Sequence, residues 1–387
     1  MEEYKMKIVY CLNSISTLGG IEKVTIAKAN ALAEFNDYEI YIIITEKIDN
    51  DCKVNLSSKI KLIELDVNYY EYDWKSKWHL LKTYLVKGYK HKKILKRRLK
   101  EINPDIVISV GQSEKYILPS IKGNWKLIRE IHYTSDYRRL QAKNLKDRII
   151  AYLRKYYDYK WKIKKYDKIV LLTNEDKENH WRDKEKVIVI PNFLTFTTSH
   201  TPSSLLHKRV ISIGRLEDQK NYRSLIAVFK TVVNKHPDWI LEIFGEGAEK
   251  SNLRRQIDSL ELSDSVKLMG NTSNPIEEMR NASIFVMSSK FEGFPLVVIE
   301  SLSVGIPVVS YSCLSGPKDI ISDGHDGFLV PQGNEAEMAE KINYLIENPE
   351  VRKKMGAAAY EKSKNYLPDK VIPLWRNLFI SMTQKEL

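Results

Sequence analysis

Short apolar runs alternate with amphipathic segments along most of the chain, and this alternation predicts an α/β fold. A Gly-containing loop at Asn13–Gly20 and a helical segment from Ile21 to Glu34 follow the first run, and another apolar run comes next. Strand, loop, helix and strand in this order open a doubly wound parallel sheet. The strand-like runs of the first half are Lys7–Cys11, Glu39–Thr45, Ile60–Leu65, Pro104–Val110, Lys126–Ile131, Lys168–Thr173 and Lys186–Ile190.

A second alternating series begins at Arg209, after a polar segment rich in Thr, Ser and Pro. Its predicted strands are Arg209–Ile213, Trp239–Phe244, Val266–Met269, Ser283–Ser288, Pro307–Ser310 and Gly327–Val330. Its predicted helices include Tyr222–Lys235, Ala248–Leu260, Pro275–Asn281, Asn334–Asn348, Glu350–Asn365 and Pro368–Phe379. We therefore predict one α/β domain over residues 1–191, a linker over 192–208 and a second domain over 209–367, with a C-terminal helix (368–387) packed on the first domain.

Composition is typical of a globular enzyme, with 387 residues and 43% hydrophobic side chains. No run approaches the roughly 18 apolar residues of a membrane span, and we expect no signal peptide at the N-terminus. The three cysteines, Cys11, Cys52 and Cys313, are widely spaced and form no metal or redox motif. These features favour a cytoplasmic protein.

The positive charge is concentrated in the first half of the chain. The net charge is +12, and residues 1–190 alone hold 39 Lys and Arg against 26 Asp and Glu. Lys75–Lys100, a predicted helix with one apolar face, has eleven basic residues and no acid, and Tyr137–Tyr166 interleaves basic and aromatic residues. Such segments are either solvated surfaces or contacts with an anionic membrane or acceptor phosphate; both interpretations stay open. Between the predicted strand Ile60–Leu65 and the predicted helix Lys75–Lys100, the segment Asn68–Trp78 is a candidate flexible loop.

The most informative stretch is Ser288–Gly305, which has the pattern of a strand end, a tight loop and a short helix. Pro295 suits the first helical position because its missing N–H costs nothing there, and Gly305 and Pro307 would end the helix. The N–H groups left free at a helix start form an anion site. Here they belong to residues around Phe294, Leu296 and Val297.

Two carboxylates flank this predicted anion site. Glu300 lies in a predicted helix that is apolar enough to be largely buried. A carboxylate in such a helix needs a hydrogen-bonding or charged partner. Glu292 lies in the preceding loop. A diphosphate with hydroxyl-rich groups at both ends, as in a nucleotide-sugar, fits such a site. The alternative is one solvated loop glutamate and one core glutamate in a salt bridge.

Two weaker signals lie in the first half. Gly19-Gly20 precede a predicted helix and let backbone approach a ligand closely, although a plain turn is an equal alternative. His132 follows a strand, and open α/β sheets bind their ligands at the carboxyl ends of strands. Most single histidines are structural, so His132 needs support from elsewhere in the chain.

The motifs of the second half resemble those of glycosyltransferase family 4, a retaining group with the GT-B fold. The resemblance covers nearly the whole chain and is most specific after residue 190. The matching segments are Ile190-Pro-Asn192, Gly214-Arg-Leu-Glu-Asp-Gln-Lys-Asn221, Phe244-Gly-Glu-Gly247, Glu292-Gly-Phe-Pro-Leu-Val-Val-Ile-Glu300, Gly305-Ile-Pro-Val-Val309 and Gly316-Pro-Lys-Asp-Ile-Ile321. The resemblance implies two Rossmann-like domains that face each other across a cleft.

It also implies a role for each matching residue. Arg215 and Lys220 would hold the donor diphosphate, as a guanidinium fork and a point charge can. Glu292 would bind sugar hydroxyls and take part in catalysis, Glu300 would bind the ribose, and His132 would act near the transferred sugar. Backbone groups complete the implied donor site: those of Gly19, Gly20, Phe294, Pro295, Leu296 and Val297.

The chain departs from the family pattern at two positions. Ser301 replaces the usual alanine, which is a small change, and Asp319 replaces a frequent glutamate. The shorter acid puts a ligand role for that position in doubt. The segment that begins Gly316-Pro317 is similar to that of bacterial surface-polysaccharide and lipopolysaccharide enzymes.

The expected reaction is sugar transfer from a UDP- or GDP-linked donor to a hydroxyl of a glycan or polyprenol-linked acceptor, with retention at the anomeric carbon. Arg215 and Lys220 would balance the leaving diphosphate, so we expect no cofactor and no divalent metal. The basic first half suggests peripheral attachment to the inner face of the cytoplasmic membrane, and no nucleic-acid motif is present. The competing hypotheses are a GT-B-like sugar-nucleotide epimerase and a catalytically vestigial membrane- or nucleic-acid-binding protein.

Overall fold

A computed structural model describes residues 4–16, 19–48, 54–69, 77–142, 144–159, 163–181, 183, 185–196 and 201–383, with the backbone alone for 77–84. The chain divides into two compact units. The first unit comprises Met1–Leu171, Trp181–Ile190 and Val371–Leu387. The second comprises Leu172–His180 and Pro191–Lys370.

Among the described residues of the first unit, seven parallel strands form one sheet in the order β3-β2-β1-β4-β5-β6-β7. The strands are β1 (Met6–Leu12), β2 (Tyr38–Ile44), β3 (Lys61–Glu64), β4 (Ile106–Ser109), β5 (Lys126–Ile131), β6 (Lys168–Leu171) and β7 (Val187–Val189). The helices are α1 (Gly20–Ala33), α2 (Lys77–Ile102), α3 (Tyr137–Leu140) and α4 (Leu145–Tyr157).

The central strands are almost continuously apolar because both faces of the sheet are covered. Six of the seven side chains in β1, and as many in β2, are buried, and the last five of each strand form an unbroken run. On one face Val9 and Val107 pack with Leu95 and Leu99 of α2. On the other, Lys28 of α1 lies over the ring of Trp375.

The second unit carries a sheet in which six described strands run parallel in the order β10-β9-β8-β11-β12-β13. The strands are β8 (Arg209–Ile213), β9 (Ile240–Phe244), β10 (Val266–Gly270), β11 (Ile284–Met287), β12 (Val308–Tyr311) and β13 (Gly327–Val330). The helices are α5 (Asn174–His180), α6 (Tyr222–Lys235), α7 (Lys250–Ser259), α8 (Pro275–Arg280), α9 (Leu296–Ser303), α10 (Pro317–Ile320), α11 (Glu335–Glu347), α12 (Pro349–Ser363) and α13 (Pro368–Thr383), whose residues from Val371 onward belong to the first unit.

Each sheet has a topological switch point, between β1 and β4 in the first unit and between β8 and β11 in the second. All strands are parallel, so their carboxyl ends meet at one edge, where open α/β sheets bind ligands. The prediction of two Rossmann-like α/β domains is confirmed. The predicted helix over Lys75–Lys100 is present as α2.

Several helices of the structure were not predicted from the hydrophobic pattern. The basic and aromatic segment Tyr137–Tyr166 contains α3 and α4, and α5 and α10 were also missed. The candidate loop Asn68–Trp78 lies largely outside the described residues. None of the helices found in the described ranges is both long and apolar enough to cross a membrane.

Candidate active site

Three loops meet at the switch point of the second sheet. They follow β8, β11 and β12, and backbone hydrogen bonds join them: Lys290 N–H donates to Gln219 O over 2.8 Å, and Glu292 N–H donates to Leu314 O over 3.1 Å. Phe291 also forms a parallel bridge with Leu314. The loops are therefore held together by backbone contacts, which fixes the side chains that they carry.

Lys220 and Glu292 form an ion pair at the centre of these loops. Lys220 Nζ lies 2.7 Å from Glu292 Oε1, and the two side chains are only 17% and 9% exposed. Ser288 Oγ donates a hydrogen bond of 2.8 Å to the carbonyl of Lys220. The structure thus brings together a cation predicted to hold phosphate and a carboxylate predicted to bind sugar hydroxyls.

Arg215 is exposed on the loop after β8, and the motif Phe244–Gly247 holds that loop in place. Gly214 N–H donates to Phe244 O and Leu216 N–H donates to Glu246 O, each over 2.9 Å. Gly245 has a φ of +140°, and a Cβ there would lie 2.0 Å from the carbonyl oxygen of Gly214. This close approach requires glycine at position 245. Arg215 is therefore exposed, while backbone hydrogen bonds hold its two neighbours, Gly214 and Leu216.

Helix α9 begins at Leu296, one residue later than predicted, with Pro295 as the N-cap residue in an extended conformation. The helix ends at Ser303, and Gly305 and Pro307 follow as expected. The one-residue difference leaves the first-turn N–H groups at the same place, beside the loop that carries Glu292. The helix start that the prediction requires is therefore present, and anion binding there stays a prediction.

Helix α9 is largely buried, as expected, but the Glu300 side chain is only partly buried. Leu296, Val297 and Glu300 are the partly exposed residues of α9 and share one face, as spacings of three and four residues require. The core contacts are made by the opposite face, with Val298, Ile299, Ser301 and Leu302. The Glu300 carboxylate thus lies on the accessible side of the helix, where a ligand can reach it.

Gly316 supports the turn before α9. It has a φ of +108°, and a Cβ there would lie 2.4 Å from Cδ of Pro295. Gly333 has a similar positive φ of +79°, but a Cβ there would meet no atom of the described residues within 4 Å. We expect Gly316→Ala to displace Pro295 and weaken donor binding, whereas Gly333→Ala adds only backbone strain of about 1 kcal/mol.

Titrating a nucleotide donor into both glycine variants and measuring thermal unfolding tests this prediction. Equal losses of donor affinity in the two variants would contradict a specific role for the contact between Gly316 and Pro295.

Asp319, the position that departs from the family pattern, is engaged within the second unit. Its carboxylate accepts hydrogen bonds from the N–H groups of Asn174 (2.6 Å) and Glu175 (3.2 Å) at the start of α5. Glu175 in turn accepts from Ser315 N–H and pairs with Lys318, both at 2.9 Å. This reciprocal arrangement fixes the loop after β12 and gives Asp319 a structural use.

In the first unit, the predicted residues lie at the carboxyl edge of the sheet. Gly19 and Gly20 are exposed at the start of α1, where Gly19 is the N-cap residue. His132 directly follows β5, and its side chain is only 2% exposed. Its Nε2 lies 3.0 Å from Glu130 Oε1, the one acidic partner of His132 among the described ion pairs.

Behind His132 lies a buried ion pair that the sequence interpretation missed. Lys28 Nζ is 2.5 and 2.6 Å from the two carboxylate oxygens of Glu130, and both side chains are 1% exposed. Burial raises the pKa of Glu130, but Lys28 and His132 outweigh it and bring the pKa to about 2. Glu130 could have been found by strand alternation, because it lies two residues before His132 and on the same face.

A family model described as glycosyl transferases group 1 matches residues 202–362. An uncharacterized glycosyltransferase of Methanocaldococcus jannaschii is 30% identical over 74% of this chain and 83% of its own length. One from Haemophilus influenzae is 29% identical over 96% of this chain and 99% of its length.

Solved structures agree on the fold. Staphylococcus aureus TarM superposes with a TM-score of 0.77 at 17% identity, covering 97% of this chain and 99% of that one. The lipopolysaccharide outer core galactosyltransferase WaaB superposes with a TM-score of 0.72 at 20% identity, covering 97% and 99%. With its two Rossmann-like units and the motifs around Lys220 and Glu292, the chain belongs to the group 1 glycosyltransferases and has the GT-B fold.

Proposed function

We propose that this glycosyltransferase is a retaining, metal-independent enzyme of family 4 that uses a UDP- or GDP-linked sugar. The observation that carries the proposal is the grouping of Arg215, the Lys220–Glu292 ion pair and the start of α9 at the switch point of the second sheet. A cation fork, a point charge and free N–H groups in one place are suited to a diphosphate.

Negative charge grows on the diphosphate as the bond between the anomeric carbon and its oxygen breaks. Backbone hydrogen bonds hold the loops that carry Arg215 and Lys220, so the backbone of the site needs little reorganisation to stabilise that charge. A bound diphosphate gives Lys220 a second anionic partner, which frees Glu292 to accept hydrogen bonds from the sugar. Glu300, on the accessible face of α9, would bind the ribose hydroxyls.

Retention follows from a front-face substitution. The acceptor oxygen forms its bond on the face from which the diphosphate leaves, and the acceptor's hydroxyl proton passes to the departing phosphate oxygen. No carboxylate is assigned as a nucleophile in this scheme. We assign Gly19 and Gly20 to the diphosphate, and His132 to a hydrogen bond with the transferred sugar.

The acceptor we propose is a hydroxyl of a glycan or of a polyprenol-linked glycan, at the inner face of the cytoplasmic membrane. A Campylobacter jejuni relative, 26% identical over 96% of this chain, is named for an undecaprenol diphosphate-linked acceptor. The TarM structure contains UDP and alpha-GlcNAc-glycerol. The excess of basic residues before residue 191 supports an anionic membrane as the place of reaction and a role in surface-polysaccharide synthesis.

A nucleotide screen tests the donor assignment. We expect UDP or GDP, but not ADP, to raise the thermal midpoint of the protein in excess EDTA, because the cations of the site replace a metal. Glu300→Gln should reduce this shift by removing a ribose acceptor, and Glu340→Gln, an exposed glutamate on α11, should not. A shift that needs Mg²⁺ would contradict metal independence.

The stereochemistry is tested with the matching sugar donor and an acceptor. Proton NMR of the first product should show the anomeric configuration of the donor. An inverted product, or a trapped sugar–enzyme adduct, would contradict front-face transfer. Conversion of the donor to an epimer without acceptor would instead identify an epimerase.

A further inference from the structure

Helix α4 presents an apolar stripe to solvent. Leu145, Ile149, Tyr152, Leu153 and Tyr156 recur at spacings of three and four residues, so they lie on one face of the helix. Leu145 is 73% exposed, Tyr152 64% and Leu153 58%. Isolated exposed apolar side chains are ordinary, but a continuous stripe along a three-turn helix marks an interaction surface.

The opposite side of the helix holds α4 on the first unit. Ala151 is its buried residue. Lys155 Nζ lies 2.6 Å from Asp136 Oδ1, and the cap residue Asp158 pairs with Lys115 at 3.1 Å and Arg138 at 2.9 Å. These contacts set the rotation of the helix, so the apolar stripe necessarily faces outward.

The N-terminal end is also fixed. Asn144 caps the helix by accepting a hydrogen bond of 2.9 Å from the N–H of Asp147. The helix is therefore already formed and oriented, and a partner would not have to bear the cost of ordering it.

The charges beside the stripe identify the partner. Lys146 and Arg148 flank it on its two sides, and both are exposed. Aliphatic and tyrosine side chains between basic residues match the interface of an anionic bilayer, where apolar groups enter the acyl boundary and cations meet lipid phosphates.

We propose that α4 docks the first unit onto an anionic bilayer, with Leu145, Ile149, Tyr152 and Leu153 inserted among the headgroups. This inference builds on the proposed function, since it explains how the enzyme would reach a lipid-linked acceptor. Once docked, the enzyme would search for that acceptor by diffusion in the membrane plane rather than in three dimensions.

Vesicle sedimentation of the full chain tests the inference. The wild type should bind vesicles that contain phosphatidylglycerol and not vesicles of phosphatidylcholine alone at about 0.15 M salt. Ile149→Gln/Leu153→Gln should lower the partition coefficient about 10-fold or more, because two inserted apolar chains are lost. Lys146→Gln/Arg148→Gln should weaken binding most at low salt.

The matched control is Leu206→Gln/Leu374→Gln, which removes two exposed leucines outside α4 and should bind like the wild type. Unchanged vesicle binding by Ile149→Gln/Leu153→Gln would overturn the inference. A stripe-dependent dimer in light scattering, without vesicle binding, would overturn it in favour of a second copy of the chain.

The nucleotide-induced thermal shift separates this inference from the proposed function. It should be the same in wild type and Ile149→Gln/Leu153→Gln, because α4 carries no donor residue. Vesicle binding without any nucleotide shift would refute the donor assignment and leave the docking surface standing.

Discussion

Arg215→Gln is expected to lower kcat/KM for sugar transfer about 100- to 1,000-fold, the usual loss when one preorganised group that stabilises developing charge is removed. The fold should be nearly unaffected, because Arg215 is exposed and the loop that carries it is fixed by backbone hydrogen bonds to Phe244 and Glu246. Steady-state kinetics with the donor found in the nucleotide screen, together with thermal unfolding, measures both quantities.

Arg254→Gln is the matched control, since Arg254 is an exposed arginine on α7 of the same unit. It should keep wild-type kcat/KM. Lys220→Gln should lower both kcat/KM and the thermal midpoint. It removes a phosphate ligand, and it leaves the Glu292 side chain, which is only 9% exposed, without its cation. If Arg215→Gln transferred sugar at the wild-type rate, Arg215 would have no part in stabilising the diphosphate.

The fold could be predicted from the sequence because parallel sheets buried on both faces leave nearly continuous apolar runs. β1 and β2 are such runs, and the structure has them within one residue or so of their predicted limits. Two short helices were missed because they leave no recognisable pattern in the sequence. α3 and α10 have four residues each, too few for a helical period to show.

Helix α4 was missed because its apolar residues face solvent, so the segment looked like a basic and aromatic surface rather than a core element. Its amphipathic period is present, but hydrophobic patterning alone does not tell a core-facing stripe from an exposed one. Only the contacts of Ala151, Lys155 and Asp158 with the rest of the first unit show which face is outside.

The candidate site shows the same limit at the level of single residues. The resemblance to family 4 grouped Lys220 with Glu292, and the structure places the two side chains 2.7 Å apart. Neither the resemblance nor the apolar pattern gave the burial of Glu300, because an eight-residue helix can turn its one charged side chain away from the core. Both also overlooked Lys28 and Glu130, which are distant in sequence and meet only through the packing of α1 on β5.

That buried pair yields the largest expected change in stability. Glu130→Gln should lower the free energy of unfolding by about 3–5 kcal/mol, because it leaves the Lys28 ammonium buried and without its anion. Lys28→Met/Glu130→Leu should recover part of the loss, since two apolar side chains have no charge to desolvate. Glu34→Gln, which removes one side of the exposed pair with Lys59, should cost at most about 1 kcal/mol.

The pH dependence gives an independent check on the same pair. The pKa of Glu130 in the folded chain is about 2, below its ordinary 4.5, so the carboxylate contributes stability that is fully present above about pH 4.5 and is lost as the pH falls through about 2. The difference in unfolding free energy between wild type and Glu130→Gln should therefore shrink across that interval in urea titrations. A difference that stayed constant from pH 5 to pH 2 would mean that the charge of Glu130 does not stabilise the first unit, and that Lys28 is held by the ring of Trp375 and its other apolar neighbours instead.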